Sequence, residues 1–183
     1  MRCRATAASL YRLEPMVDGW AYYPARRSSQ LTSDEGTRPA SVALEYEFAA
    51  WSGDAILWST PHYIITADVY DRLESGGLTG LSKGPLLISV YEERRVNGPP
   101  LELPRFVWFK PTGKIRLLRR TVCPERDGEL DFGWSGHDFC LGPRAELVVT
   151  QRALDAVGLE RIWHATIKPL VVLRPTEACD MPT

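Results

Sequence analysis

Apolar and polar residues alternate over several short stretches of this 183-residue chain. Residues 44–48, Leu-Glu-Tyr-Glu-Phe, have the two-residue period of a half-buried β-strand. Residues 114–117 alternate in the same way and predict an edge or hairpin strand, whereas the apolar run at 106–110 predicts a central strand. The hydrophobic pattern therefore predicts more strand than helix.

One strand–helix pattern occurs twice along the chain. Each copy has a short apolar strand, a threonine, a helix with one apolar face and a closing glycine, first at 63–77 and again at 147–158. Thr66 and Thr150 are predicted N-caps, because a threonine hydroxyl at that position accepts a backbone N–H of the first turn. A further strand is predicted at 162–167. Both copies are free of reactive groups, so we expect them to be scaffold.

These elements together predict an α+β fold, with a mixed or mostly antiparallel sheet, two short helices, much strand and long loops. Residues 1–41 are predicted to form a leader strand and a flexible arm, because their second half is rich in Pro, Gly, Ser and Thr. Residues 42–174 are predicted to form a single α+β domain, followed by a tail at 175–183. The acidic stretch 123–143, interrupted by glycine and proline, is predicted to be one long loop.

Composition excludes only extreme classes of protein. The formal net charge is -1, with 44% hydrophobic and 25% charged residues, as in an ordinary globular protein. A chain that bound a nucleic-acid backbone along its whole length would be basic, and a decoy of a basic toxin would be strongly acidic. No apolar run approaches the roughly 18 residues of a membrane helix, so we expect no membrane contact and a cytoplasmic location. The cysteines expected to be reduced there are Cys3, Cys123, Cys140 and Cys179.

Charge is unevenly distributed between residues 110 and 138. The first part of this segment carries five cations and no acid, and the second part is acidic. Three interpretations are open: the two parts pair with each other or are merely solvated, they form a bipolar surface for a charged protein, or the basic part binds a phosphate backbone. Trp20 and Trp134 have glycine and polar neighbours and are predicted to be exposed anchors for a partner. The predicted partner-binding residues are Lys110, Lys114, Arg116, Arg119, Arg120, Asp131, Trp134, His137 and Asp138.

The best metal-ligand candidates are His137 and Cys140, with Cys123 and Asp131 as further donors. A zinc site needs four nitrogen or sulfur ligands that converge on the ion. The spacings between these residues are not those of zinc motifs, in which cysteine and histidine occur in close pairs. The interpretation as a loop with a surface histidine and a packed cysteine is therefore favoured, and no metal or cofactor is predicted.

Two further patterns invite a catalytic interpretation and do not support one. Residues 133–137, Gly-Trp-Ser-Gly-His, have histidine where a nucleophile elbow has its second glycine, and no strand leads directly into them. Glu45 and Glu47 share one strand face, as a general acid and base can, but a solvent-facing strand has the same pattern. No catalytic residue is therefore predicted.

Several of these segments together resemble a known family. Leu10–Leu13, residues 44–48, the first strand–helix unit and above all Leu147–Lys168 are similar to the Imm11-type bacterial immunity proteins and their relatives. The similarity extends over about residues 42–170 and includes a Ser/Thr-capped helix that ends in an apolar–Gly–Leu turn before a closing strand. It implies a non-enzymatic protein that binds a cognate toxin and neutralises it by occluding the active site of the toxin. It carries over no catalytic residue.

Two alternatives to a toxin-binding protein stay open. One is a small enzyme or ligand-binding accessory protein that uses a cleft between sheet and helices, with His62, His137 or His164 as the titrating group. The other is a nucleic-acid binder that uses residues 110–120, which net charge does not favour. A protein partner is the preferred expectation, and the pattern makes no prediction of oligomeric state.

Overall fold

The structure, a computed structural model, describes residues 9–22, 43–92, 96, 99–117 and 132–170. Within these residues it has thirteen β-strands, two α-helices and a short 3-10 helix, Leu159–Arg161, which confirms the predicted strand-rich α+β fold. The α-helices are α1 (Ala67–Ser75) and α2 (Gln151–Val157). The strands are β1 (Leu10–Glu14), β2 (Gly19–Tyr22), β3 (Leu44–Phe48), β4 (Ile56–Ser59), β5 (His62–Thr66), β6 (Lys83–Gly84), β7 (Leu86–Val90), β8 (Phe106–Phe109), β9 (Gly113–Leu117), β10 (Phe132–Trp134), β11 (Phe139–Leu141), β12 (Leu147–Thr150) and β13 (Thr166–Leu170).

The largest sheet has six strands in the order β10-β9-β11-β12-β1-β13. The β9–β11 pair is parallel and the other pairs are antiparallel. The first strand of the chain lies inside this sheet, where Leu10 is in register with Thr150 on one side and Leu170 on the other. The folded part of the protein therefore includes strands that precede residue 42. The predicted arm at 24–41 and the tail at 175–183 lie outside the described residues.

Two smaller sheets complete the architecture. The four-stranded sheet has the order β4-β5-β8-β6 and is antiparallel throughout. It confirms that the apolar run at 106–110 contributes a central strand, since β8 lies between β5 and β6. The three-stranded sheet has the order β2-β3-β7, with β2 antiparallel and β7 parallel to β3.

The four-stranded sheet is buried on both faces. On one face Tyr63 and Ile65 belong to a core cluster that also includes the apolar sides of α1 and α2 and residues of β11 and β12. On the other face Ile64 packs in a second cluster with Leu44 and Phe48 of β3. The alternation of side chains along β5 thus joins the six-stranded sheet and the helices to the three-stranded sheet.

Both helices begin where the sequence predicts, but only one threonine caps as expected. The hydroxyl of Thr150 accepts a hydrogen bond from the Ala153 N–H at 3.2 Å, whereas no side-chain capping bond forms at Thr66. Asp68 in the first turn of α1 supplies favourable charge at that N-terminus.

The structure corrects three sequence-based expectations. The stretch predicted as one loop at 123–143 contains β10 and β11, whose three residues each are too few to show a period. The strand predicted at 162–167 begins only at Thr166, because the chain first forms the 3-10 helix and a turn. Finally, β9 is not an edge strand, because it lies between β10 and β11. The hairpin alternative is confirmed, since β9 pairs antiparallel with β10, the next described strand along the chain.

The double-sided burial of β5 gives a stability prediction. We expect Ile64→Ala to lower the free energy of unfolding by about 2–5 kcal/mol, because Ile64 is fully buried and its truncation leaves a cavity. The exposed Leu159 is the control, and Leu159→Ala should change that free energy by less than about 0.5 kcal/mol. Chemical denaturation of both variants measures the two values. Equal effects would contradict the assignment of Ile64 to the core.

Candidate functional site

Among the predicted site residues that the structure describes, Asp138 makes the most side-chain hydrogen bonds. Its carboxylate is buried between two loops, where Oδ2 accepts hydrogen bonds from the Thr79 N–H at 2.9 Å and the Thr79 hydroxyl at 3.1 Å. Oδ1 accepts a hydrogen bond from the Thr150 hydroxyl at 2.8 Å. The Asp138 N–H in turn donates to Thr79 Oγ1 at 3.1 Å. These bonds use the carboxylate to join the loop after α1 to the start of α2.

The environment of Asp138 also sets its protonation. Burial acts to raise the pKa of this carboxyl group, but hydrogen bonds from Thr79 and Thr150 and the positive charge of Arg152 outweigh burial. The pKa is therefore lowered, and the group is a fixed anion at neutral pH. A carboxylate whose oxygens already accept hydrogen bonds from the same protein is suited to a structural role.

Arg152, in the first turn of α2, extends this network to the glycines that follow α1. Its Nη1 lies 3.3 Å from Asp138 Oδ2, and its Nη2 donates to the carbonyl oxygens of Gly76 and Gly77 at 3.0 and 3.1 Å. Arg72 of α1 donates in return to the Val157 carbonyl at the end of α2, at 3.0 Å. The two copies of the strand–helix unit are thus bonded to each other, in agreement with a scaffold role.

The loop from Trp134 to Cys140 is also tied to its own backbone. The carbonyl of His137 accepts hydrogen bonds from Trp134 Nε1 at 2.9 Å and from the Cys140 thiol at 3.4 Å. Trp134 is half-buried rather than exposed, and its ring packs near the buried residues Leu10, Ile115, Cys140 and Val148. Burial raises the pKa of the Cys140 thiol and makes it a weak nucleophile and a weak ligand.

No metal centre forms within the described residues. Among them, no three side chains of His, Cys, Asp or Glu converge as ligands. Cys123 and Asp131, the further candidate donors, lie outside the described residues.

The predicted basic surface is divided between two sheets. Lys114 is exposed on β9, and its N–H donates to Ser135 Oγ at 2.9 Å, which places it beside Trp134 and His137. Lys110 instead follows β8, and its Nζ lies 3.7 Å from the centre of the Trp108 ring, a cation–π contact. The backbone of Arg116 is on β9. Arg119 and Arg120 lie outside the described residues, and the predicted role of all these cations stays a prediction.

The histidines occupy different environments. Burial lowers the pKa of His62, whose ring lies edge-on to Trp108 with 5.8 Å between ring centres. His164 has its Nδ1 3.1 Å from Oδ1 of the fully buried Asp54. Trp163, 72% exposed, lies next to His164 with 4.7 Å between ring centres. Asp54 and His164 are distant in sequence, so no local motif indicates this pair.

An open surface, here called the open face, covers the side of the three-stranded sheet that points away from the core. Leu44, Tyr46 and Phe48 of β3 turn into the second core cluster, which leaves Glu45 and Glu47 on the opposite side. The remaining residues of the open face are Trp20, Leu87, Ser89 and Tyr91.

Apolar side chains surround the two glutamates of the open face. Trp20 is in register with Glu47, and Leu87 is in register with Glu45. The rings of Trp20 and Tyr91 approach to 5.8 Å between their centres, although β3 separates their strands. The exposed fractions of Trp20, Leu87 and Tyr91 are 52%, 53% and 39%. These three large side chains are therefore clustered at the surface and not in the core.

Sequence reasoning identified only part of the open face. It predicted that Trp20 is exposed, which is confirmed, and that Glu45 and Glu47 share a strand face. It missed Leu87 and Tyr91, because the run 86–91 has the composition of a buried strand. No local signal indicates them, because only the fold places β2 and β7 on either side of β3.

Comparison of the chain with protein-family models and with curated protein sequences found no match in either set. Of the helices that the structure describes, none is long and apolar enough to cross a membrane.

The hydrogen bonds of Asp138 predict a pH-dependent contribution to stability. We expect Asp138→Asn to lower the free energy of unfolding at pH 7 by about 1–3 kcal/mol, because the partners of the carboxylate lose a charged acceptor. The folded-state pKa lies below the ordinary value of 3.8, so this contribution is present above pH 3.8 and is lost as pH falls through the folded-state pKa. Thermal unfolding at several pH values measures the difference.

Asp155→Asn is the matched control, since Asp155 is exposed on α2 and its Oδ1 accepts a single hydrogen bond, from Gln151. Its effect on the free energy of unfolding at pH 7 should be less than about 0.5 kcal/mol. A difference between wild type and Asp138→Asn that stayed constant down to the most acidic pH would contradict the proposed anion.

Proposed function

We propose that this protein is a non-catalytic binding protein of the immunity type, which neutralises a cognate toxin by covering the active site of the toxin. The observation that carries the proposal is the open face, where Trp20, Tyr91 and Leu87 are exposed around two carboxylates. The resemblance of the strand–helix units to Imm11-type immunity proteins points to the same class of function.

The composition of the open face favours a protein as the partner. Trp and Tyr are over-represented among the residues that carry most of the binding energy of protein interfaces, because a large rigid ring buries much area at little entropic cost. The rings of Trp20 and Tyr91 contact each other in the free protein, and side chains that are already packed lose less entropy on association. Glu45 and Glu47 add charge that a basic partner would complement.

A binding role also agrees with the state of the reactive groups around Asp138. The carboxylate of Asp138 is occupied by Thr79 and Thr150, and the thiol of Cys140 is buried with a raised pKa. Both groups hold the fold together. The predicted contribution of Lys114, Trp134 and His137 to partner binding stays part of the proposal, because these residues lie together at one end of the six-stranded sheet.

A second candidate function is that of a small enzyme or ligand-binding protein that uses His164. The buried carboxylate of Asp54 lies 3.1 Å from Nδ1 of His164, an arrangement that can orient an imidazole as a general base. Under the binding function, His164→Gln should leave neutralisation unchanged. If His164→Gln abolishes neutralisation but leaves the melting temperature of the protein unchanged, the enzyme or ligand-binding function is favoured instead.

The binding function predicts a specific loss on truncation of the open face. Each gene next to the gene for this protein would first be expressed alone in a bacterial host. A neighbouring gene whose product stops growth would then be co-expressed with the wild-type protein or with a variant. We expect wild type to restore growth and Trp20→Ala/Tyr91→Ala to weaken the complex by at least about tenfold, the effect of losing interface anchors. Calorimetry with the purified pair measures the affinity.

Trp163→Ala is the control for this experiment, because Trp163 is more exposed than Trp20 and lies outside the open face. It should bind like wild type. Equal affinity of wild type and the Trp20/Tyr91 variant would exclude the open face as the binding surface, and the absence of any growth-inhibiting neighbour would count against the immunity function itself.

A further inference from the structure

Strand β7 forms an edge of the three-stranded sheet, next to the open face. The Leu44 N–H donates to the Pro85 carbonyl at 3.1 Å, and the Tyr91 N–H donates to the Phe48 carbonyl at 2.9 Å. Because the β3–β7 pair is parallel, this register directs the backbone groups of Leu87 and Ser89 toward β3. The N–H and C=O groups of residues 86, 88 and 90 therefore point away from the sheet.

No strand in the described part of the chain pairs with that outer edge. The edge strand reads Leu-Leu-Ile-Ser-Val and carries no charge and no proline. Folded proteins ordinarily protect such edges with charged residues, proline or bulges, because unpaired backbone groups on an apolar strand recruit other strands. Leu87 and Ile88 are nevertheless 53% and 41% exposed. An unprotected apolar edge of this kind is suited to pair with a strand from another molecule.

We propose that β7 accepts an extended segment of the partner protein as an additional strand, and that this segment carries lysine or arginine at alternate positions. This inference rests on the proposed function and specifies its partner. Main-chain hydrogen bonds to residues 86, 88 and 90 would supply affinity, and alternate side chains would supply specificity.

The charge of the open face selects a basic segment. Alternate side chains of an added strand lie above the open face, beside Leu87 and Ser89. A lysine or arginine there covers Leu87 with its apolar stem and carries its charge toward Glu45 or Glu47 on the next strand. Within the described residues neither glutamate takes part in a salt bridge, and Glu45 accepts only a hydrogen bond from Ser89, at 3.2 Å. An acidic segment would instead meet like charge.

The test uses the full chain and a synthetic peptide in which lysine alternates with valine. We expect salt-sensitive binding of this peptide and at least tenfold weaker binding of the same peptide with glutamate in place of lysine. Hydrogen exchange followed by NMR then locates the peptide. The amides of Leu86, Ile88 and Val90 should become protected, whereas those of Leu87 and Ser89, already bonded to β3, should change little.

Two pairs of variants separate edge pairing from general attraction. Ile88→Lys places a charge on the free edge and should weaken peptide binding at least tenfold, whereas Thr166→Lys, on the edge strand of the six-stranded sheet, should have no effect. Glu45→Gln/Glu47→Gln should weaken binding and reduce its salt dependence, whereas Glu160→Gln, at an exposed residue outside the open face, should not.

Three results of the peptide experiment would overturn the proposal: no binding of the lysine peptide, binding that leaves the three edge amides unprotected, or equal binding of the glutamate peptide. Protection of those amides in the free protein that rises with protein concentration would assign the edge to a second copy of this chain and would also overturn it. If Trp20→Ala/Tyr91→Ala abolishes neutralisation while the edge amides exchange unchanged in the toxin complex, the proposed function stands and the edge inference fails. If the peptide protects the edge amides but no toxin is neutralised, the edge inference stands and the proposed function fails.

Discussion

The buried carboxylate of Asp138 is the constraint on which the arrangement of this fold depends. A charge removed from water is tolerated only when hydrogen bonds or opposite charge replace its hydration. Here Thr79, Thr150 and Arg152 supply that replacement, and they come from the loop after α1 and from the start of α2. Satisfying one anion thus joins the neighbouring segments around Asp138 and Thr150 to Thr79, which lies 59 residues from Asp138.

Fixing the helices determines which surface is left for function. The helices and the six-stranded sheet bury one face of the four-stranded sheet, and the three-stranded sheet buries the other. The sheet formed by β2, β3 and β7 is then an outer layer, with one face in the core and one that no other described strand or helix covers. The residues of the two strand–helix units can therefore be scaffold, while the proposed binding surface lies on strands outside both units.

The sequence correctly predicts features that depend on the local hydrophobic period, such as the two faces of a strand. It does not predict contacts between segments that are distant in sequence. The alternation at 44–48 correctly separates Tyr46 from the two glutamates, because a strand's two faces are set by its own residues. The contact between Trp20 and Tyr91 has no local signature, since it depends on β2 and β7 flanking the same strand. Likewise β10 and β11 have three residues each and owe their existence to pairing with β9 and β12. The burial of Asp138, which the sequence predicts as a partner-binding residue, has no local signature for the same reason: its three partners are contributed by other parts of the fold.

Glu45 and Glu47 show how such non-local contacts change the interpretation of a residue pair. On sequence grounds they are either a general acid and base or an ordinary solvated strand face. Neither interpretation accounts for the Trp20 ring opposite Glu47 or for Leu87 opposite Glu45, since a solvated face does not need large apolar neighbours. Apolar surface around a carboxylate lowers the local dielectric constant and strengthens its attraction to a cation that displaces the water. The apolar neighbours of the two glutamates are costly to leave in water, and they favour a long basic side chain as the group that covers them. The apolar stem of such a side chain packs on these neighbours, and its charge pairs with a carboxylate.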